Sequence, residues 1–297
     1  MKNQDAFSSC HPIVNFVYFA LVLLYSMTFM HPASLVISLS AALIYSVYLN
    51  GTKAVRATLM YLLPMVLLVA IINPAFNHAG ATILLYLPTG NPLTLESILY
   101  GFAAAGMLAA VIVWFNCYSA VMTSDKFVYL FGRIIPALSL VLSMTLRFVP
   151  KFKAQLAVVS DAQRCIGRDV SDGGLLQRLR NGITILSIML TWALENAIET
   201  ADSMKSRGYG LPGRTAFSIY RFDSRDRAIL TWLAFCGFFL TCGTIVGGFY
   251  WRWFPKVKSA PAVAMTVCFQ LCYFALCLTP VILNIYEERK WSEAERE

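Results

Sequence analysis

The sequence predicts an all-α integral membrane protein of about six transmembrane helices, with long polar helices inserted in its middle. Three observations lead there. The chain is 58% hydrophobic and 13% charged, with mean hydropathy +0.63, whereas a soluble domain carries about a quarter charged residues. Apolar runs recur at roughly the ~20-residue length that a helix needs to cross a bilayer. The charge is concentrated: 15 of the 24 Lys and Arg, and 9 of the 16 Asp and Glu, lie between residues 123 and 228.

Four apolar runs precede the polar middle, over about 12–30, 33–49, 57–73 and 97–119, and two follow it, over about 228–248 and 262–285. The second is near the lower limit for a span. Pro64 inside the third is tolerable, because neighbouring helices can satisfy the carbonyl it frees. No cleavable leader is expected, since Lys2 is offset by Asp5 and the first apolar run is long enough to stay as an anchor. The division expected is 1–122 with spans 1–4, 123–227 as a structured polar domain, and 228–297 with spans 5–6 and a tail.

Lys and Arg favour the cytoplasmic side. A cytoplasmic middle places Lys53, Arg56 and both termini inside, with Arg289, Lys290 and Arg296 in the tail. The localisation expected is therefore multi-pass in a bacterial cytoplasmic membrane. The 74–95 loop falls outside, and so does WRWFPKVKSAP at 251–261, which carries Arg252, Lys256 and Lys258 against the rule. Trp251 and Trp253 beside them suit an interfacial belt.

Within the middle, 134–166 reads as a helix with Pro136 near its start, a kink at Pro150 and a stop at Gly167. SDGG at 171–174 is a turn. A second helix runs from about 175 or 181 to Arg207, stops at Gly208 and again at Gly210, and exits through Pro212 and Gly213. Both helices are apolar early and polar late. Ile183, Ile185, Leu186, Ile188, Met189, Leu190, Trp192 and Leu194 form a run short for a span, which suits a membrane–cytoplasm boundary. Beyond it Glu195, Glu199 and Asp202 recur at i, i+4 and i+7 on one stripe.

Those acids raise the possibility of a membrane-embedded lipid-processing enzyme, a prenyl or phospho-alcohol transferase, with Asp161, Asp169 and Asp172 as Mg²⁺ ligands. Against it, the acids are interleaved with Arg164, Arg168 and Arg207, and no Ser-His-Asp or Cys-His set is available. A solvated helix face is the simpler reading, and no catalytic residue is assigned. Gly51-Thr52-Lys53 lacks the spacing of a phosphate-cradling loop. A channel or carrier would place ionisable groups inside its spans, and these spans carry almost none. No metal site is assigned: Cys268, Cys272 and Cys277 sit in an apolar run near one face, and His11, His31 and His78 lie singly near the ends of apolar segments.

A helix ending in Arg at a sharp glycine stop is a good protein-docking element. The guanidinium forks onto carboxylates and complements the negative end of the helix dipole. Here two such ends stand in tandem, and LRFVPKFKAQLAVVSDAQRCIGRD (146–169) followed by ALENAIETADSMKSRGYGLPGRT (193–215) resembles the transmembrane T component of energy-coupling-factor ABC transporters, the EcfT/CbiQ-like family.

The resemblance implies a non-catalytic coupling subunit with no cofactor of its own, since ATP and Mg would be bound by two partner ABC ATPase subunits. It also implies a membrane-embedded S component that selects the solute, a vitamin or a metal ion such as cobalt or nickel. By position Ser206, Arg207 and Gly208 match the second docking motif. Arg147, Phe148 and Pro150 match the start of the first coupling helix, and Ala162 and Gln163 the lead-in to the first docking motif. Glu199, Asp202 and Gly210 belong to the second coupling helix and its exit. The first motif departs from the pattern. It reads Cys165-Ile166-Gly167, with Ile where the family has Arg. Arg164 and Arg168 flank it, each about 200° round a continuous helix from position 166.

Overall fold

A computed structural model of the protein describes residues 5–86, 92–132, 135–171, 173–212, 220–259 and 263–294. In chain order it contains α1 (Pro12–Thr28), α2 (Pro32–Phe76), β1 (Ile83–Tyr86), β2 (Pro92–Thr94), α3 (Leu95–Val121), α4 (Ser124–Gly132), α5 (Pro136–Cys165), α6 (Leu175–Ser206), α7 (Ser224–Ile245), β3 (Trp251–Arg252), β4 (Lys258–Ser259) and α8 (Val263–Ala294). The chain divides into two compact units, Met1–Lys126 with Tyr220–Glu297, and Phe127–Ile219. Gly213 and positions 260–262 of the second loop lie outside the described residues.

Among the described residues of the first unit, five helical stretches are long and apolar enough to cross a membrane: Pro32–Thr52, Thr58–Phe76, Leu95–Val121, Ser224–Ile245 and Ala264–Lys290. α1, with 17 residues, stands at the short end of the ~17–25 range. α2 is two passes joined at Gly51, whose φ of 75° and ψ of 166° are non-helical. Side-chain pairing shows that the chain reverses there. Trp114 Nε1 donates to Ser38 Oγ at 3.0 Å, and Cys117 Sγ to the Ala42 carbonyl at 3.8 Å, so the first half runs parallel to α3. Asn116 Nδ2 donates to Thr58 Oγ1 at 3.2 Å while Gly101 lies against the Ala70 carbonyl, so the second half runs antiparallel to it. Ser34 with Gln270 and Tyr48 with Glu288 set α8 parallel to the first half of α2. Tyr18 with the Cys277 carbonyl and Phe7 with Asn284 set α8 antiparallel to α1. His11 with Asp226 and Tyr25 with Gly237 set α7 parallel to α1, so that these five stretches and α1 alternate in direction.

Trp114, Tyr18, Tyr45, Tyr273, Phe7 and Phe19 are fully buried in this unit. Around them several buried polar groups pair with one another, as an apolar medium favours, although the Tyr273 hydroxyl has no hydrogen-bond partner among the described atoms. Ser26 and Ser38 hydroxyls bond at 2.9 Å, Tyr25 OH donates to the Gly237 carbonyl at 2.7 Å, and Gln270 Nε2 donates to Ser34 Oγ at 2.8 Å. His11 and His31 take a role that composition did not reveal. Each caps a helix start, its Nδ1 accepting from the N–H of Ile13 at 3.3 Å and of Ala33 at 3.2 Å. The cysteines are all unpaired thiols. Cys268 is exposed whereas Cys277 is buried, so the expected common face of Cys268, Cys272 and Cys277 is not observed; a nine-residue offset turns Cys277 inward.

One end of the bundle carries two short antiparallel hairpins not anticipated from the sequence. β1 pairs with β2 and β3 with β4, and the Ala81 N–H donates to the Pro255 carbonyl at 3.0 Å, joining the two loops. Arg252 Nε is held by the Phe254 carbonyl at 2.6 Å.

In the second unit, α5 and α6 pack antiparallel. Asn181 Nδ2 donates to the Asp169 carbonyl at 2.8 Å, Phe152 meets the Trp192 ring edge-on at 5.3 Å, and Lys151 Nζ donates to Asn196 Oδ1 at 3.2 Å. Ile185, Met189 and Trp192 are spaced at i, i+4 and i+7 and face Val159. The opposite face of α6, with Ile183, Leu186, Leu190 and Leu194, is exposed. α5 is helical through Pro150, which has no N–H to offer the Leu146 carbonyl.

Candidate functional site

The two helix ends singled out in the sequence share one backbone design. α5 ends at Cys165, with Ile166 as its C-cap (φ −98°, ψ 16°). Gly167 follows in the left-handed region at φ +73°. Its N–H donates to the Arg164 carbonyl at 3.0 Å, and that of Arg168 to the Gln163 carbonyl at 2.9 Å. This crossed pair of bonds is a Schellman stop. α6 ends at Ser206, with Arg207 as its C-cap (φ −83°, ψ 8°). Gly208 lies at φ +75°, its N–H donates to the Lys205 carbonyl at 3.0 Å, and that of Tyr209 to the Met204 carbonyl at 3.0 Å. A residue with a Cβ resists φ > 0, so glycine is needed at both stops.

The expected residues fall on these two frames as follows. Cys165 corresponds to Ser206, Ile166 to Arg207, Gly167 to Gly208 and Arg168 to Tyr209. Ile166 is 61% exposed, and Arg207 is exposed without an ion-pair partner among the described residues. Ser206 turns its hydroxyl back to the Ser203 carbonyl at 2.9 Å. Gly210 is a second left-handed glycine, at φ +92°.

Neither arginine beside Ile166 takes its place. Arg164 Nε faces Asp169 Oδ2 at 3.4 Å, and Arg168 lies beyond the stop. Asp169 accepts from the Ser171 hydroxyl at 2.7 Å and the Ser171 N–H at 3.2 Å. Those bonds, with the Arg164 charge, hold its carboxyl below the usual range. Gln163 Oε1 is buried without a hydrogen-bond partner among the described atoms. Arg147 and Pro150 are exposed on α5.

The two stops lie far apart. Asn181 holds the Asp169 carbonyl, just past the first stop. The stretch of α6 from Asn181 to Arg207 measures ~39 Å at about 1.5 Å per residue. The same glycine stop closes α7, where Gly247 has φ +82° and Gly248 N–H donates to the Gly243 carbonyl at 2.8 Å. The stop with an exposed C-cap side chain is therefore a general device, since Val246 is exposed as well; what sets the first two apart is that they end the two paired helices of the Phe127–Ile219 unit.

The acids do not assemble. Glu195, Glu199 and Asp202 are exposed along α6, Asp161 is exposed on α5, and Asp169 is held by Ser171 and Arg164. Asp172 lies outside the described residues. Among the described residues no three His, Cys, Asp or Glu side chains converge as metal ligands. Sequence reasoning missed the pairing of Lys151 and Trp192, whose ammonium lies 5.6 Å from the ring centroid, and the shared backbone geometry of the two stops. The backbone equivalence could have been found by aligning the two glycines.

Comparison with known proteins bears on the family of the chain. The energy-coupling factor transporter transmembrane protein EcfT of Lactobacillus helveticus is 37% identical over 93 residues, covering 31% of this chain and 34% of that protein. EcfT of Lacticaseibacillus paracasei is 32% identical over 113 residues, 38% of this chain and 41% of the relative. EcfT of Bacillus selenitireducens is 26% identical over 182 residues, 58% and 68% respectively. The matched segments thus span about a third of the length of the first of these relatives. The model of the CbiQ family, described as cobalt transport protein, matches residues 11–219. With most of its length inside that match, the chain is a multi-pass membrane protein that belongs to the CbiQ cobalt transport protein family.

Proposed function

We propose that this chain is the non-catalytic transmembrane coupling subunit of an energy-coupling-factor importer. It passes ATP-driven motion of two ATPase subunits to a membrane-embedded S component for uptake of a vitamin or metal ion. The observation that carries the reading is the pair of exposed C-cap residues, Ile166 and Arg207, on matching glycine stops ~39 Å apart along one antiparallel helix pair. Two docking points on one rigid element must be displaced when the two bodies holding them move together. The names of the relatives, transmembrane proteins of energy-coupling factor transporters, support it.

ATP and Mg would be bound and turned over by the partners, so this chain needs no cofactor. Both termini and the Phe127–Ile219 unit are assigned to the cytoplasmic side of a bacterial cell membrane. Lys126 and Arg225, at the two connections to that unit, meet the neighbouring residues Ser8 and Ser9, in keeping with the positive-inside bias. The exposed apolar face of α6 is available for packing against the S component.

The test is charge reversal. Arg207→Glu should leave membrane insertion intact and abolish co-purification of an ATPase subunit and uptake. Normal amounts of both ATPases with unimpaired uptake would contradict the reading.

A further inference from the structure

The chain leaves the membrane unit at Lys126 and re-enters it at Tyr220, and both points are bonded to one short segment, residues 5–11. At the exit, Lys126 is only 6% exposed. Its Nζ donates to the Ser8 carbonyl at 2.5 Å, to Ser8 Oγ at 3.3 Å and to the Val121 carbonyl at 2.9 Å. Val121 is the last residue of α3, so the ammonium also sits at the negative end of that helix dipole. With the Asn15 amide in its hydrogen-bonded orientation, the amide oxygen accepts from the same ammonium at 3.1 Å.

At the re-entry, Asp226 is 2% exposed. One carboxylate oxygen accepts from the His11 N–H at 3.1 Å and the other from the Asp223 N–H at 3.2 Å. Arg225 pairs with Glu287 and donates to Ser9 Oγ at 3.2 Å. The His11 ring lies edge-on to Phe222 at 5.2 Å and to Tyr220 at 6.5 Å.

The segment is itself fixed to the bundle. Asp5 accepts from Tyr45 OH at 2.9 Å and from Asn284 Nδ2 at 2.5 Å, and the Phe7 N–H donates to Asn284 Oδ1 at 3.1 Å. The Phe7 ring is fully buried among Tyr18, Phe19 and Tyr45. A buried cation and a buried carboxylate are costly groups that persist only when bonded. Both are bonded to the same few residues.

We infer that residues 5–11 are a clasp that anchors both chain connections of the Phe127–Ile219 unit to the membrane bundle, with Lys126 and Asp226 as its two positioning residues. Without it, displacement of that unit would be absorbed by the connectors. With it, displacement is delivered to the ends of α3 and α7. This role in transmission rests on the coupling function proposed above; the anchoring does not.

Two readouts separate the two. In the purified chain, Lys126→Met should speed hydrogen exchange about tenfold at amides 122–126, and Asp226→Asn should do so at 220–226, the ratio expected for one lost charge-assisted hydrogen bond. Unchanged exchange in both variants overturns the clasp. In the complex with its ATPases, both variants should assemble in normal amounts and hydrolyse ATP within about twofold of wild type, while uptake per ATP hydrolysed falls about tenfold. Lys126→Arg, which keeps a buried cation, should retain most of it. An unchanged ratio, or a loss matched by lost assembly, overturns the role in transmission. If the unmodified chain binds no ATPase, the coupling reading fails and the exchange result alone decides the clasp.

Discussion

Ile166 and Arg207 occupy the same position of the same helix stop. Each is the C-cap before a left-handed glycine, at φ +73° for Gly167 and φ +75° for Gly208, with the same two crossed backbone bonds behind it. One end therefore offers an aliphatic side chain where the other offers a guanidinium. A groove suited to one is poorly suited to the other, because an unpaired buried charge is costly and an aliphatic group leaves a carboxylate unpaired.

The first consequence concerns Ile166. If its contact is apolar, Ile166→Ala removes roughly 1.5–3 kcal/mol of buried side chain, about tenfold or more in affinity for one ATPase. Ile166→Asp should be worse and Ile166→Val nearly silent. Titration of purified ATPase onto the reconstituted chain measures this. An Ile166→Asp variant with unchanged affinity would exclude an apolar contact.

The glycine stops should be sensitive to a single methyl group. Ala at a left-handed position costs about 1–2 kcal/mol. At Gly167 nothing lies within 4 Å of the added Cβ, whereas at Gly208 it would meet Leu211 Cδ1 at 3.1 Å. Gly208→Ala should therefore loosen its helix end at least as much as Gly167→Ala. Amide exchange at Arg168 and Tyr209, whose N–H groups close the two stops, reports it.

Gly51 makes a separate prediction about the bundle. Its φ of 75° with ψ of 166° is a region open essentially to glycine alone. Gly51→Ala has open space around the new methyl, so strain of about 1–3 kcal/mol is the whole effect. Thermal unfolding in detergent should show a lower midpoint. An unchanged midpoint would mean that the reversal tolerates another backbone conformation.

What could be read in the sequence followed from local chemistry. The spans showed as apolar runs, and the two polar helices showed because Gly167, Gly208 and Gly210 end them for reasons internal to a few residues. The reversal at Gly51 was implied by the gap between the runs 33–49 and 57–73. The clasp was not legible, because Asp5 and Asn284, or Ser8 and Lys126, meet only after the bundle closes. In the sequence Asp5 reads only as a charge offsetting Lys2. The hairpins β1–β2 and β3–β4 carry too few residues for a strand pattern to register. The departure at Ile166 was visible, as was its place before a glycine like that of Arg207; the shared cap dihedrals and crossed bonds were not.

The carboxylates separate a coupling subunit from a lipid-processing enzyme. Glu195, Glu199 and Asp202 are exposed on α6, where a solvated side chain typically contributes within about ±0.5 kcal/mol. Glu195→Gln, Glu199→Gln and Asp202→Asn should each give graded, partial defects in assembly. Complete loss, in one of them, of a chemical activity measured on the chain alone would favour catalysis.

The most direct measurement places a photoactivatable cross-linking residue at position 166 or at position 207 of the chain assembled with its ATPases. The account predicts one ATPase adduct from each position, and two ATPase copies on a chain carrying both. Adducts with lipid alone, or with no ATPase from either position, would contradict it.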